Sequence, residues 1–306
     1  MKFEKNFVGA IADYRDSAPI FWTTDSGFLF SLDSLPMTLI EALILGLVQG
    51  LTEFLPVSSS GHLVLVQKAM GVSDGGITFE ILVHFATLLS VVIYFWKVLW
   101  RMVLAIIPPF KEEYRRERKM IGFLAIGTIP AVVIGLTLKS RFEAVYEEPV
   151  KVSLLLLVTG AILFLPRFLP KPKEQGGVKL GSAIIMGLGQ AFAILPGISR
   201  SGSTIVSGMI SGVKSEDAAE FSFLLAIPAI AGAMVLAIKD MVEEGIETAL
   251  LTNYLAGGAV AFVSGLIAIF TVLVAVRKGK FEWFAYYCFA AGIGFFLYFQ
   301  YGSGAG

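Results

Sequence analysis

One cysteine, Cys288, in 306 residues leaves no partner for an internal disulfide and no thiolate set for a metal; it is read as helix packing. Charge is equally scarce. Only 16% of residues are Asp, Glu, Lys or Arg, against about a quarter in a soluble domain. The 24 cations and 24 anions cancel, so no bulk field of one sign draws the chain to nucleic acid. Imidazole chemistry is limited to two residues, His62 and His84. In place of charge there is apolar surface: 56% of residues are hydrophobic, 25 are Phe, and the mean hydropathy is +0.78. Several runs exceed about 18 apolar residues, the length of a spanning helix. The chain is read as an all-α polytopic membrane protein.

Residues 1–36 lack such runs. Lys2, Lys5 and Arg15 alternate with Glu4, Asp13, Asp16, Asp25 and Asp33, and no unbroken apolar stretch follows the basic start. That excludes a signal peptide and predicts a peripheral or amphipathic extension without chemistry. Residues 37–300 form one membrane domain, followed by a featureless tail, 301–306. Its apolar runs lie at about 37–55, 62–71, 79–107, 120–138, 152–169, 179–195, 203–213, 219–238, 250–276 and 281–300. The runs at 62–71 and 203–213 are too short to span. Those at 37–55 and 179–195 stop at a proline followed by small polar residues. These four make two re-entrant helical hairpins, whose turns must be shielded by protein or a water-filled cavity. The other six are spanning helices.

The loops order the spans. Lys111, Arg115, Arg116, Arg118 and Lys119 make one basic loop, Arg167, Lys171, Lys173 and Lys179 a second, and Arg277, Lys278 and Lys280 a third. Segment 139–151 is balanced by Glu143, Glu147 and Glu148, and 239–250 is acidic through Asp240, Glu243, Glu244 and Glu247. Basic loops face the cytoplasm, so the hairpin at 37–71 enters from outside and that at 179–213 from inside. The two halves, about 37–138 and 179–276, are predicted to be inverted repeats. Glu80 follows Pro56, and Glu220 follows Pro196, by the same 24 positions; both acids are expected to brace their hairpins. Such repeats bring broken helix ends together near the bilayer midplane.

The polar residues of the two turns are the candidates for chemistry. Gln49 and Glu53, four apart, share one helix face, with Glu41 two turns earlier, and Ser58, Ser59, Ser60, Gly61 and His62 follow. Ionisable groups inside membrane segments mark sites by default. The second turn holds Arg200 among Ser199, Ser201, Ser203 and Thr204, a donor-rich cradle suited to phosphate, although Glu53 is an equally available partner for the guanidinium. A carboxylate beside a phosphate is tolerated when a divalent cation bridges them or the carboxylate carries a proton. Glu53 and Gln49 are therefore expected to hold Mg²⁺ or Ca²⁺. His62 is a candidate acid/base or phosphate donor, and Ser59, His62 and metal-bound water all remain open as the nucleophile. His84 is read as a packing histidine.

Two stretches, QGLTEFLPVSSSGH from Gln49 and PGISRSGST from Pro196, resemble the two signatures of the undecaprenyl-diphosphate phosphatases, also called bacitracin-resistance proteins. The resemblance covers about 37–300. It implies a multi-pass enzyme of the bacterial inner membrane, dependent on a divalent metal, with its site facing the periplasm. It also implies hydrolysis of undecaprenyl diphosphate to the monophosphate and phosphate, recycling a lipid carrier for the cell wall. By position it assigns Glu53, His62, Ser59 and Arg200 to catalysis. Gln49 stands where the family has Glu or Gln, so two carboxylates are not required there. The expected partners are the polyprenyl diphosphate, the bilayer and, as a homodimer, a second copy. The competing reading is a transporter or flippase of an anionic polyprenyl lipid, because inverted repeats with broken helices are also transporter architecture.

Overall fold

The computed structural model describes residues 37–72, 76–168, 176–244 and 250–302; the extension 1–36 and part of the second basic loop lie outside them. In chain order the helices are α1 (Leu39–Phe54), α2 (Ser59–Met70), α3 (Gly76–Tyr94), α4 (Trp96–Ile106), α5 (Arg115–Tyr146) and α6 (Pro149–Phe168). There follow α7 (Leu180–Phe192), α8 (Arg200–Ile210), α9 (Ser215–Glu244), α10 (Leu251–Arg277) and α11 (Trp283–Leu297). Among the described residues there is no strand, only an isolated bridge between Gly176 and Val213.

Among the described residues, four segments are long and apolar enough to cross a membrane: Glu112–Leu138, Pro149–Phe168, Ser215–Val235 and Leu251–Arg277. α3 and α4, bent by 78° against each other, add a fifth when the pair is counted as one span. The chain is thus a multi-pass helical membrane protein.

Two expected spans differ from simple rods. The run 79–107 breaks at Phe95 because its second half is amphipathic. Met102 and Ala105 are buried, Trp96, Trp100, Val103 and Ile106 are exposed, and Arg101 reaches Glu117 at 2.7 Å. Trp and basic residues on such a helix favour the membrane–water boundary over the hydrocarbon. The run 281–300 is an α-helix of only 15 residues, continued by a π-helical turn at Tyr298–Gly302. The balanced segment 139–151 is also largely helix. α5 has 32 residues, about 48 Å at 1.5 Å each, and outruns the roughly 30 Å hydrocarbon core.

The first turn of α1 is set by a capping box: Glu41 N–H donates to Thr38 Oγ1 at 3.2 Å, and Thr38 N–H to Glu41 Oε2 at 2.8 Å. Glu41 is therefore committed to the helix start and takes no part in the site. α1 lies along α10, and α7 along α5, each through glycine. A Cβ on Gly46 would sit 2.1 Å from the Gly257 carbonyl oxygen, and one on Gly187 2.4 Å from that of Gly127. Small residues let membrane helices approach this closely. Each half's interrupted helix is thus packed against a long helix of the other half. The buried cluster between them joins Phe54 and Val57, at the end of α1, to Phe221, Phe223 and Leu224 on α9, with Phe54 edge-on to Phe223 at 5.7 Å.

Candidate active site

Both interrupted helices end at a Leu-Pro or Leu-Pro-Gly turn and restart with a serine cap. Ser58 Oγ accepts from Gly61 N–H at 3.3 Å, and Ser199 Oγ accepts from Gly202 N–H at 3.0 Å. Ser58 does so at φ 72°, in the left-handed region that a non-glycine residue seldom occupies. Strain of this kind persists only where the surroundings over-determine it, and it clusters at functional sites. Thr159 on α6 fixes the second turn, donating to Gly197 O at 2.7 Å and accepting from Ser199 N–H at 3.0 Å.

The turns meet tip to tip. A Cβ on Gly61 would lie 2.8 Å from Gly197 Cα, and one on Gly197, at φ +94°, would strike Val152 O. Ser201 Oγ donates across the junction to Leu55 O at 3.2 Å. The first turns of α2 and α8 therefore share one small volume, and their unpaired N–H groups give it positive potential.

Glu53 is the hub of that volume. Its side chain is 4% exposed. Oε1 accepts from Arg200 Nη2 in an ion pair between the two turns. Oε2 accepts from Ser59 Oγ at 2.5 Å and from Gln49 Nε2 at 2.9 Å. Gln49, Glu53, Ser59 and Arg200 are thus brought together as the sequence predicted, and Arg200 pairs with Glu53. A hydroxyl donating to a buried carboxylate is the arrangement of a nucleophile with its base.

Other expected site residues stand further back. Ser58 and Ser199 serve as caps, with Ser60 Oγ 3.4 Å from Ser58 Oγ and Ser201 Oγ 3.3 Å from Ser199 Oγ. Thr204 bonds to Ser222 on α9 and to the carbonyls of Arg200 and Ser201. The Ser203 hydroxyl is buried without a partner among the described residues. His62 makes no hydrogen bond to the Glu53 cluster. Its Nδ1 donates to Ser58 O at 2.9 Å, so Nε2 accepts the Tyr287 O–H at 3.0 Å, and the two rings stack at 5.5 Å. Tyr287 was hidden in a Phe-rich run 225 positions away, and nothing local marked it. His84, read as packing, donates from Nδ1 to Glu80 O at 2.8 Å. Glu220 lies at the start of α9 and makes no hydrogen bond to the second hairpin among the described residues.

The donors around Glu53 fit a hard cation on one observation. Gln49 Oε1 is buried and unpartnered, next to a carboxylate. Among the described residues no group of three His, Cys, Asp or Glu is placed to hold a metal ion, so the remaining ligands would be water and substrate oxygens, the habit of Mg²⁺.

Fold and site together define a helical membrane protein with a buried cluster of a carboxylate, a guanidinium and a serine hydroxyl between two broken helices. The comparisons specify it further. The family described as bacitracin resistance protein BacA matches residues 42–294. A protein of Rhodopirellula baltica named undecaprenyl-diphosphatase is 45% identical over 257 residues, covering 83% of this chain and 96% of that one. Proteins of the same name from Carboxydothermus hydrogenoformans and Desulforapulum autotrophicum are 43% and 40% identical, each over 84% of this chain and at least 96% of their own. The chain belongs to the bacitracin resistance protein BacA family.

Proposed function

We propose that the protein hydrolyses undecaprenyl diphosphate to undecaprenyl phosphate and inorganic phosphate, recycling the carrier lipid of cell-wall synthesis and so conferring bacitracin resistance. The observation that carries this reading is the contact of Ser59 Oγ with Glu53 Oε2 at 2.5 Å beside the Arg200 guanidinium. A transporter of the same lipid needs the cation but no activated hydroxyl.

Glu53 holds the anion position when the site is empty. The terminal phosphate of the substrate replaces it on Arg200, with the first turns of α2 and α8 supplying N–H donors. Glu53 then accepts the Ser59 proton as Ser59 Oγ attacks the terminal phosphorus. The bond from that phosphorus to the bridging oxygen breaks, and undecaprenyl phosphate leaves with the electron pair. Glu53 passes its proton to the departing phosphate oxygen. Water then attacks the phosphoserine, with Glu53 taking its proton. The bond from phosphorus to Ser59 Oγ breaks, and Glu53 returns the proton to Ser59 Oγ as orthophosphate is released. Gln49 and Glu53 would hold the divalent cation, whose chemistry there is to neutralise phosphate oxygens against the carboxylate. His62, held by Ser58 and Tyr287, keeps the α2 start in register and is a reserve for proton transfer.

The recurrence of hairpin, cap and crossed packing in both halves supports six spans, one of them bent and one short, with two re-entrant hairpins in inverted repeats. With basic loops inside, the protein sits in the bacterial inner membrane and its site opens towards the periplasm.

The test is release of phosphate from a polyprenyl diphosphate by the purified full chain, followed by acid quench to trap labelled phosphoserine. The expected result is EDTA-sensitive release with label on Ser59. Release without any label on Ser59 overturns its role as nucleophile, and no release overturns the enzyme reading.

A further inference from the structure

A cavity of about 460 Å³ opens where α5 and α9 begin, lined by none of the active-site residues and at the end of the spans that carries the basic loops. Arg116 and Lys119 line it from the first turns of α5, and Asp217 and Glu220 from those of α9. Met120 and Phe123, one turn further along α5, supply apolar wall where the hydrocarbon-grade part of the span begins. Among the described residues none of the four charged groups is within 4 Å of another in an ion pair, although both signs face the same space. Their neighbours are already engaged: Arg115 faces Glu112 at 3.8 Å, and Glu117 holds Arg101 at 2.7 Å. Three cations and two anions line the cavity; with Arg115 turned to Glu112, two of each sign stand apart across it and match a ligand that carries both signs. The apolar wall beside them matches a ligand with a hydrocarbon continuation.

We propose that this cavity binds a membrane lipid whose head group is a phosphate ester bearing a primary ammonium, of the phosphatidylethanolamine type. Arg116 and Lys119 take the phosphate oxygens. Asp217 and Glu220 take the ammonium, and the acyl chain passes over Met120 and Phe123. Basic recesses between transmembrane helices are established head-group sites, and this volume falls within the usual ligand-pocket range. The acids select among lipids. A phosphatidylglycerol head leaves both carboxylates facing hydroxyls instead of a cation. A trimethylated amine offers them charge but no N–H. The site stands apart from Glu53 and Arg200, so its failure would leave the proposed hydrolysis untouched.

The test is native mass spectrometry of the full chain in detergent, with equimolar dioleoyl phosphatidylethanolamine, phosphatidylglycerol and phosphatidylcholine in competition. The ethanolamine lipid is expected to be retained over both others by about tenfold, the scale of one or two charge-assisted hydrogen bonds. Arg116→Gln with Lys119→Gln should abolish retention of all three, and Asp217→Asn with Glu220→Gln should erase the preference over phosphatidylglycerol. Arg116→Lys with Lys119→Arg should keep both, which separates lost binding from lost folding. Equal retention of the three lipids by the wild type, or unchanged selectivity in the acid-neutralised variant, would overturn the proposal. Soluble O-phosphoethanolamine binding as tightly as the lipid would overturn the membrane source of the ligand.

Discussion

Glu53→Gln should bind orthophosphate more tightly than the wild type while losing turnover. The Glu53 carboxylate pairs with Arg200, so an arriving phosphate must displace it. Glutamine keeps the shape and can still meet Ser59 and Gln49, but it gives up the charge that competes for the guanidinium. A hydrogen bond to a charged group contributes about 1.5–3 kcal/mol, so phosphate affinity measured in EDTA should rise about 10- to 150-fold. The same substitution removes the base that receives the Ser59 proton, which lowers turnover about 10²–10⁴-fold, or about 3–5 kcal/mol of barrier. Breaking a buried pair also leaves Arg200 uncompensated, so the variant should melt earlier without phosphate and recover when phosphate is added. Calorimetric titration with orthophosphate, a melting series in phosphate and a phosphate-release assay read the three effects on one preparation. Phosphate binding no tighter than wild type, together with near-normal turnover, would refute both the competition and the base.

Ser59→Ala should lower phosphate release at least about 10²-fold and abolish labelling in acid-quenched samples, with melting little changed because the hydroxyl is an outer donor to Glu53. Gly61→Val should destabilise by about 1–3 kcal/mol and reduce activity with it, since its side chain has no room against Gly197; unchanged melting would show that the two turns do not touch as described. Tyr287→Phe removes the donor to buried His62 Nε2 and should cost about 1–3 kcal/mol in urea or thermal unfolding, with less than about tenfold loss of activity, because Tyr287 does not contact the Glu53 cluster. Gln49→Glu should lower the Mg²⁺ concentration for half-maximal activity, and Gln49→Ala should raise it; metal titrations that leave all three proteins alike would remove Gln49 from the cation's surroundings.

The centre of the site was legible because a membrane chain has few reasons to keep a carboxylate, a guanidinium and a serine run in broken helices. Glu53 and Arg200, 147 positions apart, could therefore be assigned to one volume from cost alone. What that cost cannot resolve is how each polar group is satisfied. Ser58 and Ser199 read as phosphate donors because their composition is that of a cradle, yet a helix restarting after a proline needs a cap, and the first serine of each run supplies it. The bend at Phe95 was hidden for a related reason. Hydropathy averages Trp96 and Trp100 into a spanning run, whereas the one-sided burial of α4 is a property of its face. Tyr287 could not be found at all, since an aromatic among aromatics carries no signal until another helix sets His62 beside it. The two readings left open for Arg200, pairing with Glu53 or binding phosphate, are not rivals in the folded protein. A guanidinium in so apolar a setting requires an anion at every moment, so a phosphate site there is stable when empty only if the chain carries its own replacement. Glu53 can be that replacement and the catalytic base because binding of the substrate is the event that releases it.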